Sequence, residues 1–154
     1  MEPSCGDGVF LRQLKVQNQK FNKVIAIELN RAEAEKADNI HLDNTSVINT
    51  DFHLYCNETI DQFDFVVGNP PYICYQYFDE EQQKDAAKIF HRAGLKYTKL
   101  TNAWVSFVVG SSLLLKEKGK IGFVIPAKIL QVSYAKQPRE FLAHFYNKIN
   151  IISF

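Results

Sequence analysis

The chain has 154 residues, of which 46% are hydrophobic and 23% charged, which is typical of one globular domain with its own core. Its apolar runs are far shorter than the ~20 residues of a membrane span, and its start lacks a signal-peptide pattern, so we expect no membrane partner. The net charge of +1 neither indicates nor excludes nucleic acid. Three cysteines without metal-like spacing predict a reducing, cytoplasmic location and no metal site.

The first half of the chain alternates short apolar segments with helical patterns. A turn of small residues at 2–8 precedes apolar residues at helical spacing, which predicts a loop that wraps a ligand and then a helix. Residues 23–28, 46–50 and 63–67 are apolar runs typical of strands. Between the first two runs, Asn30 is expected to cap an alanine-rich helix at 31–37.

The second half begins with a polar, aromatic and lysine-rich stretch without a strand pattern. Within it we predict a helix from 79 to about 93 that is broken at Gly94. Residues 103–118 predict an amphipathic helix with a basic end. Three further elements are then expected: a strand at 120–126, a helix at about 137–147 and a strand at 149–154.

The alternation of strands and helices predicts the fold class. Nearly every expected strand is a continuous apolar run, which indicates an α/β fold with a mostly parallel sheet covered by helices on both faces. Polar residues follow three of the strand ends, namely Glu28, Asp51 and Asn69. In an open α/β sheet this edge is where ligands bind, so we expect the three side chains to converge on one crevice.

One short loop carries unusual restraints. The strand at 63–67 runs through Gly68 into Asn69-Pro70-Pro71-Tyr72. Each proline fixes its own φ and pushes the preceding residue into an extended conformation, so the Asn69 amide and the carbonyl groups point in nearly fixed directions. Two interpretations remain open here. The prolines simply end a strand, or the fixed acceptors and the aromatic residue form a pocket for a planar group that bears an amine.

The spacing between the glycine turn and Glu28 has a chemical meaning. A strand-end acid about 20 residues after such a turn is typical of nucleoside binding, where the carboxylate accepts hydrogen bonds from ribose hydroxyls. Gly6-Asp7-Gly8 lacks the third glycine of the dinucleotide motif, which disfavours a pyrophosphate cradle. The alternative for Glu28 is a surface acid at a strand end.

Four motifs together resemble a known family. In order and spacing, they are similar to those of gamma-group N6-adenine DNA methyltransferases of restriction–modification and related phage-defence systems. The motifs are Glu2-Pro3-Ser4-Cys5-Gly6-Asp7-Gly8, Ile27-Glu28, Asp51-Phe52 and Asn69-Pro70-Pro71-Tyr72. Residues 103–115 and 119–126 resemble the family's next helix and strand. The resemblance implies a class I S-adenosylmethionine-dependent methyltransferase (Rossmann-like) fold and methyl transfer to the N6 amino group of adenine in DNA.

The resemblance also implies roles for the cofactor-binding residues. The loop would hold the methionine part of S-adenosylmethionine, Glu28 the ribose, and Asp51 the adenine amino group, with the Phe52 backbone reading the ring edge. Asp51 has an alternative role as a helix cap, with Phe52 in the core. The full predicted set of cofactor-binding residues is Glu2, Pro3, Ser4, Gly6, Gly8, Glu28, Leu29, Asp51, Phe52 and Asn69.

The implied catalytic residues are Asn69, Pro70 and Tyr72. The Asn69 side-chain oxygen and the Pro70 carbonyl would accept the two N–H groups of the target adenine, while Tyr72 stacks on its ring. The implied partner is double-stranded DNA with a flipped-out adenine. A cognate restriction endonuclease, or remaining parts of the same enzyme, are further expected partners. Cations at 84–99 either grip phosphates or form a solvated helix face.

Some parts of the family pattern are missing from the sequence. Its first strand, its final hairpin and its target-recognition domain have no counterpart in residues 1–154, so we expect a partial catalytic domain that is inactive alone. We also expect the strands on either side of the missing first strand to lack a hydrogen-bonding neighbour. Asn-Pro-Pro-Tyr also occurs in enzymes that methylate protein glutamine or RNA, which leaves those activities as alternatives. A non-catalytic nucleotide- or DNA-binding subunit is a third possibility.

Overall fold

The computed structural model describes residues 1–98, 102–127 and 136–152. The strands are β1 to β4 and the helices α1 to α6, in chain order with one short 3-10 helix. Their bounds are α1 Val9–Val16, β1 Val24–Glu28, α2 Arg31–Asp38, β2 Thr45–Asn49, α3 Phe52–Glu58, β3 Phe63–Gly68, the 3-10 helix Tyr75–Tyr77, α4 Glu80–Arg92, α5 Ala103–Leu113, β4 Leu115–Phe123 and α6 Lys136–Phe145.

The strands form two parallel pairs, β1 with β2 and β3 with β4. Glu2 adds a third neighbour on the free side of β1. Its N–H donates to the Ile25 carbonyl at 2.8 Å, and the Ile27 N–H donates to the Glu2 carbonyl at 2.9 Å. This reciprocal arrangement is the pattern of a parallel ladder, so Glu2 continues the sheet beyond β1.

Met1 makes the matching connection to β3. Its amino group donates to the Phe65 carbonyl at 2.8 Å, and the Val67 N–H donates to the Met1 carbonyl at 3.0 Å. The spatial order is therefore β2, β1, residues 1–2, β3, β4. The expectation that the strands on either side would lack a hydrogen-bonding neighbour is wrong for their carboxyl halves, because two residues suffice to pair both edges there.

Helices cover both faces of the sheet, as predicted. Alternate side chains of β1 point in opposite directions, so Val24 and Ala26 pack with Leu11 of α1 and Ala37 of α2. Ile25 and Ile27 belong to the larger cluster on the other face, which also contains Phe52, Val66, Phe90, Trp104 and Val108. The prediction that nearly every strand is buried on both faces is confirmed among the described strands for β1 alone. In β2 no residue is fully buried, and Phe65 of β3 is 56% exposed.

The helix expected at 103–118 is shorter and more deeply buried than predicted. It ends at Leu113, and every residue from Ala103 to Ser112 is buried. The helix packs against α3, α4, α6 and β4, so it has no solvent face and is not amphipathic. The lysines expected at its basic end lie in β4, which begins at Leu115 rather than at residue 120.

The remaining elements follow the sequence more closely. Helix α4 begins with the capping box of Asp79 and Gln82, in which each side chain accepts from the backbone of the other residue. The strand expected at 149–154 is not formed at 149–152, where Ile151 and Ile152 are exposed and pair with no strand edge; residues 153 and 154 lie outside the described residues. Within the described ranges, no helix combines the length and apolarity needed to cross a bilayer.

Two neighbouring buried serines of α5 give opposite stability predictions. Ser111 Oγ has no hydrogen-bond partner among the described residues, whereas Ser112 Oγ bonds the Val108 carbonyl and the Tyr146 hydroxyl, both at 2.8 Å. Removing an unsatisfied buried hydroxyl relieves a desolvation cost, so Ser111→Ala should raise the free energy of unfolding by about 1 kcal/mol. Ser112→Ala should lower it by about 1–2 kcal/mol. Urea denaturation checks the difference, and equal effects would contradict it.

Candidate functional site

Three polar residues follow the carboxyl ends of neighbouring parallel strands. Glu28 ends β1, Asp51 follows β2 and Asn69 follows β3. Because β2, β1, residues 1–2 and β3 run parallel in that order, the three residues lie along the same edge of the sheet. The three residues therefore share one edge, and the loop from Pro3 to Gly8 leaves the sheet between them; the crevice expected there stays a prediction.

The Glu28 carboxylate holds this loop by its backbone. Oε2 accepts the Gly6 N–H at 2.9 Å, and Oε1 accepts the Asn30 N–H at 2.8 Å. Gly6 and Gly8 have φ values of 53° and 88°, in the region that favours glycine. A Cβ at Gly8 would also collide with the Ile40 side chain, so this turn requires glycine for space as well as for backbone conformation.

The other end of the loop packs against the Asn-Pro-Pro-Tyr segment. Pro3 is buried against Gly68, where an added Cβ would lie 3.2 Å from Pro3 Cδ. Ser4 Oγ donates to the Asn69 carbonyl at 3.4 Å. The loop therefore contacts the carboxyl ends of both β1 and β3. It connects the predicted cofactor side, at Glu28, with the predicted catalytic side, at Asn69.

Asp51 is the N-cap of α3. Its Oδ1 accepts the backbone N–H of His53 at 2.6 Å and that of Leu54 at 3.3 Å. Phe52 is buried and stacks on Phe107 with ring centroids 4.7 Å apart. The cap-and-core interpretation of this pair is thus observed. Two groups of this pair can still bond a ligand at the edge. The Phe52 N–H has no acceptor among the described residues, and Asp51 Oδ2 accepts only from Gln82 Nε2, at 3.1 Å.

The ionisation of Asp51 follows from these contacts. Burial alone would raise the pKa of its carboxyl group, but hydrogen bonds from His53 and Gln82 outweigh burial and hold the pKa below its usual value. Asp51 is therefore a carboxylate at neutral pH, and it can only accept hydrogen bonds.

The Asn69 side chain is already engaged by the nearby aromatic residue. The Tyr72 hydroxyl lies 2.6 Å from Asn69 Oδ1 and 2.8 Å from the carbonyl oxygen of Val124, which follows β4. Pro70 is buried, and its carbonyl accepts no hydrogen bond from the described residues. The segment therefore contains one acceptor without a described donor, in a buried residue, and one acceptor that bonds a phenol, with Tyr72 46% exposed beside them.

Several residues at this edge were not predicted. Asn49, the last residue of β2, donates from its side chain to the carbonyls of Glu28 and Leu29, both at 2.9 Å. Leu29 itself is exposed. His53 and Gln82 contact Asp51 and were also missed. Gln82 could have been recognised as the capping-box partner of Asp79, but its second contact is long-range and leaves no local signal.

The structure gives structural roles to two buried cysteines and to two of the cations at 84–99. Burial raises the pKa of the Cys5 thiol to about 12 and that of Cys56 to about 11, which disfavours a reactive thiolate. Lys88 pairs with Asp85, and Arg92 donates to the Cys56 carbonyl at 2.8 Å, so both support the fold. Lys99 lies outside the described residues. No cluster of three metal-ligating side chains is found in the part of the chain that the structure describes.

Glu2 is the most unusual acid in the described structure. It is only 3% exposed, and its Oε2 has no hydrogen-bond partner among the described residues. Burial raises its pKa to about 8, although the nearby Met1 amino group opposes this. Burial also lowers the pKa of that amino group to about 6. The loop from Pro3 to Gly8 thus follows a buried carboxyl group that is largely neutral at pH 7.

The fold places the chain in a known class. It superposes on a solved protein from Listeria monocytogenes, described as a class I S-adenosylmethionine-dependent methyltransferase, with a TM-score of 0.69 and 16% identity, covering 93% of this chain and 43% of that one. The chain therefore has the class I S-adenosylmethionine-dependent methyltransferase fold, as predicted. Residues 8–154 match the Eco57I restriction-modification methylase family, and the chain belongs to that family.

Curated relatives extend the comparison. The chain is 29% identical to the type II methyltransferase M.BstVI of Geobacillus stearothermophilus, covering 95% of this chain and 31% of the relative. It is 30% identical to a tRNA1(Val) (adenine(37)-N6)-methyltransferase of Bacteroides thetaiotaomicron, covering 84% of this chain and 52% of the relative. The chain thus spans about a third and about half of their lengths.

The buried Glu2 carboxyl predicts an unusual pH dependence of stability. Its pKa is raised from 4.5 to about 8 on folding, so its contribution is full below pH 4.5 and declines as the pH rises towards 8. The Met1 amino group, lowered from 8.0 to about 6, acts in the opposite direction between pH 6 and 8. The net decline should therefore fall between about pH 4.5 and 6.

Urea denaturation across this range measures the decline. Glu2→Gln should flatten it, while Glu117→Gln, at an exposed position of β4, should leave it unchanged. A decline of equal slope in Glu2→Gln would show that another group is responsible.

Proposed function

We propose that this chain is the catalytic core of an enzyme that transfers the methyl group of S-adenosylmethionine to the N6 amino group of adenine in DNA, within a restriction–modification or related defence system. The observation that carries the proposal is the common edge shared by Glu28, Asp51 and Asn69, with the loop from Pro3 to Gly8 between them. Family membership supports the reaction class.

The first half of the site suits the cofactor. Asp51 Oδ2 is an ionised acceptor, and the Phe52 N–H is a donor without a partner among the described residues. Adenine offers the complementary pair, since its amino group donates and its neighbouring ring nitrogen accepts. Glu28 keeps lone pairs for ribose hydroxyls beyond its two backbone contacts, and Leu29 follows it at the rim.

The loop suits the methionine part of the cofactor. Glu2 supplies a buried carboxyl oxygen without a described partner, which can take up a positive charge such as the methionine ammonium. Pro3 and Ser4 fix the loop against the Asn-Pro-Pro-Tyr segment, while Gly6 places no side chain in the open space beside it.

The second half suits the target adenine. Asn69 Oδ1 and the Pro70 carbonyl would each accept one N–H of the exocyclic amine, which directs the nitrogen lone pair at the sulfonium methyl. The N–CH₃ bond forms as the S–CH₃ bond breaks, the sulfonium becomes a neutral thioether, and the nitrogen then loses one proton. The base must leave the duplex to reach these acceptors, and Tyr72 would stack on it.

Tyr72 already occupies one of the two lone pairs of Asn69 Oδ1. Its hydroxyl bonds the same oxygen that the adenine amine would use, at 2.6 Å. We infer that the incoming base takes over this hydrogen bond while the ring turns to stack on the base. Duplex DNA is the proposed partner, together with a cognate endonuclease or the remaining parts of the same enzyme, because the chain spans only a third of a type II relative.

Methylation of RNA is the second candidate. The tRNA-modifying relative is 30% identical over 84% of this chain, and its printed activity also targets adenine N6. The same acceptors serve either nucleic acid. Radiolabelled transfer to duplex DNA and to structured RNA, measured side by side, separates the two, and preferential labelling of RNA would overturn the DNA assignment.

Asn69→Ala tests the central role in the reaction. Loss of one preorganised hydrogen-bonding group at a reacting centre costs about 10²–10³-fold in rate, so methyl transfer by the chain joined to the remaining parts of its enzyme should fall by at least 100-fold. Calorimetric titration should show affinity for S-adenosylmethionine within a few-fold of the unmodified chain. Asn57→Ala, which removes an amide contact to Asp85 away from this edge, is the matched control and should keep the rate. Undiminished transfer by Asn69→Ala would disprove the assigned role.

Substitutions of Tyr72 test the stacking. Base–aromatic stacking is worth about 1–3 kcal/mol, so Tyr72→Ala should raise KM for DNA by about 5–150-fold. Tyr72→Phe keeps the ring and removes the hydroxyl from Asn69, so its KM should rise much less. Equal effects of the two variants would assign the role to the hydroxyl instead of the ring.

A further inference from the structure

A buried chain of hydrogen bonds leads from the core to Asp51. His53, only 1% exposed, places Nδ1 at 3.0 Å from Asp51 Oδ1 and Nε2 at 2.6 Å from Ser106 Oγ. Ser106 lies on α5, and its hydroxyl is 2.8 Å from the Ala103 carbonyl. The carboxylate at the sheet edge is thus connected to a helix in the middle of the core.

The imidazole ring has little freedom to move. Three aromatic rings contact it edge to face, with centroid distances of 5.8 Å to Phe52, 5.5 Å to Phe78 and 5.1 Å to Phe107. Both ring nitrogens are also engaged by hydrogen bonds. A ring held in this way transmits its position to whatever its nitrogens contact.

Hydrogen counting fixes the direction of the bond to Asp51. The Asp51 carboxylate can only accept, so Nδ1 must carry a hydrogen. Nδ1–H therefore donates to Asp51 Oδ1, whichever way the Ser106 hydroxyl points.

The two oxygens of Asp51 are consequently unequal. Oδ1 receives three donors, which are the His53 N–H, the Leu54 N–H and His53 Nδ1–H. Oδ2 receives only Gln82 Nε2 and keeps a lone pair for one more donor. The contacts to Oδ1 therefore determine where Oδ2 lies.

We propose that His53 is a positioning residue for the cofactor, and that its Nδ1–H holds the Asp51 carboxylate with Oδ2 ready to accept the cofactor's adenine amino group. This inference rests on the proposed function, in which Asp51 reads that amine. Ser106 contributes to the same positioning, because its hydrogen bond to Nε2 fixes the orientation of the ring.

Two substitutions of His53 by amide residues test the contacts of Nδ1 and Nε2 separately. Asn at position 53 places its side-chain nitrogen near that of Nδ1, so His53→Asn keeps a donor to Asp51 and loses Ser106. Gln reaches the position of Nε2, so His53→Gln keeps the contact to Ser106 and loses the donor to Asp51. Both variants disturb the aromatic surroundings similarly, so a purely structural role predicts similar effects.

The readout is discrimination between two cofactors in the full chain. Calorimetric titration compares S-adenosylmethionine with its deaminated analogue, in which a hydrogen replaces the adenine amine and the ring nitrogen that would accept from the Phe52 N–H is kept. A hydrogen bond to a carboxylate is worth about tenfold or more, so the unmodified chain should prefer the adenine form by at least that factor. His53→Gln should reduce this ratio about tenfold, while His53→Asn should keep it within about threefold. Ser112→Ala, which removes a buried hydroxyl contact elsewhere on α5, should leave it unchanged.

The outcomes distinguish this inference from the proposed function. No binding of S-adenosylmethionine, or a preference that survives Asp51→Asn, would contradict the proposed function itself. A preference that is lost in Asp51→Asn but retained in His53→Gln would overturn the role of His53 alone. Should His53→Gln fail to fold, the unmodified chain gives a second test by NMR: the His53 Nδ1–H resonance should shift with S-adenosylmethionine and much less with the deaminated analogue, and equal shifts would overturn the role.

Discussion

The backbone pairing of Met1 and Glu2 with the strands on either side is the interaction on which this structure depends. Four hydrogen bonds of 2.8–3.0 Å join the β1–β2 pair to the β3–β4 pair through these two residues. Without them, the sheet would consist of two separate ladders. With them, the carboxyl ends of β1, β2 and β3 form one edge, and the loop that follows Glu2 must emerge at the middle of that edge.

From that geometry the rest of the site follows. The emerging loop meets the β1 end through Gly6 and Glu28, and the β3 end through Ser4 and Asn69. The positive φ values of Gly6 and Gly8 let the loop turn sharply into α1. The proposed cofactor half and the proposed base half are thus positioned relative to each other by a single short segment of backbone.

The sequence predicted those parts of the site that depend on topology. Parallel strands bring their carboxyl ends together, so polar residues after apolar runs were sufficient to place Glu28, Asp51 and Asn69 at one edge. The contacts of His53 with Ser106, and of Gln82 with Asp51, connect residues 53 and 31 positions apart. Such contacts depend on how the helices pack, and a local pattern carries no record of that packing.

The burial of α5 illustrates the same limit. An apolar stripe on a helix predicts one buried face, but it does not predict what will cover the opposite face. Here α3, α4 and α6 join β4 in enclosing the helix, so its serines are buried together with its valines. One of those serines, Ser106, bonds His53. The packing that makes the prediction of an amphipathic helix wrong therefore also connects the core to the site.

The charges at the edge suit a cationic ligand. Asp51 is held ionised by its donors, whereas burial keeps Glu2 largely neutral although the nearby Met1 amino group opposes this. A sulfonium or ammonium group beside Glu2 would favour its ionised form, because an opposite charge offsets the desolvation cost. The loop would then bind its proposed cofactor with release of a proton, and the cofactor would stabilise the segment that holds the two halves of the sheet together.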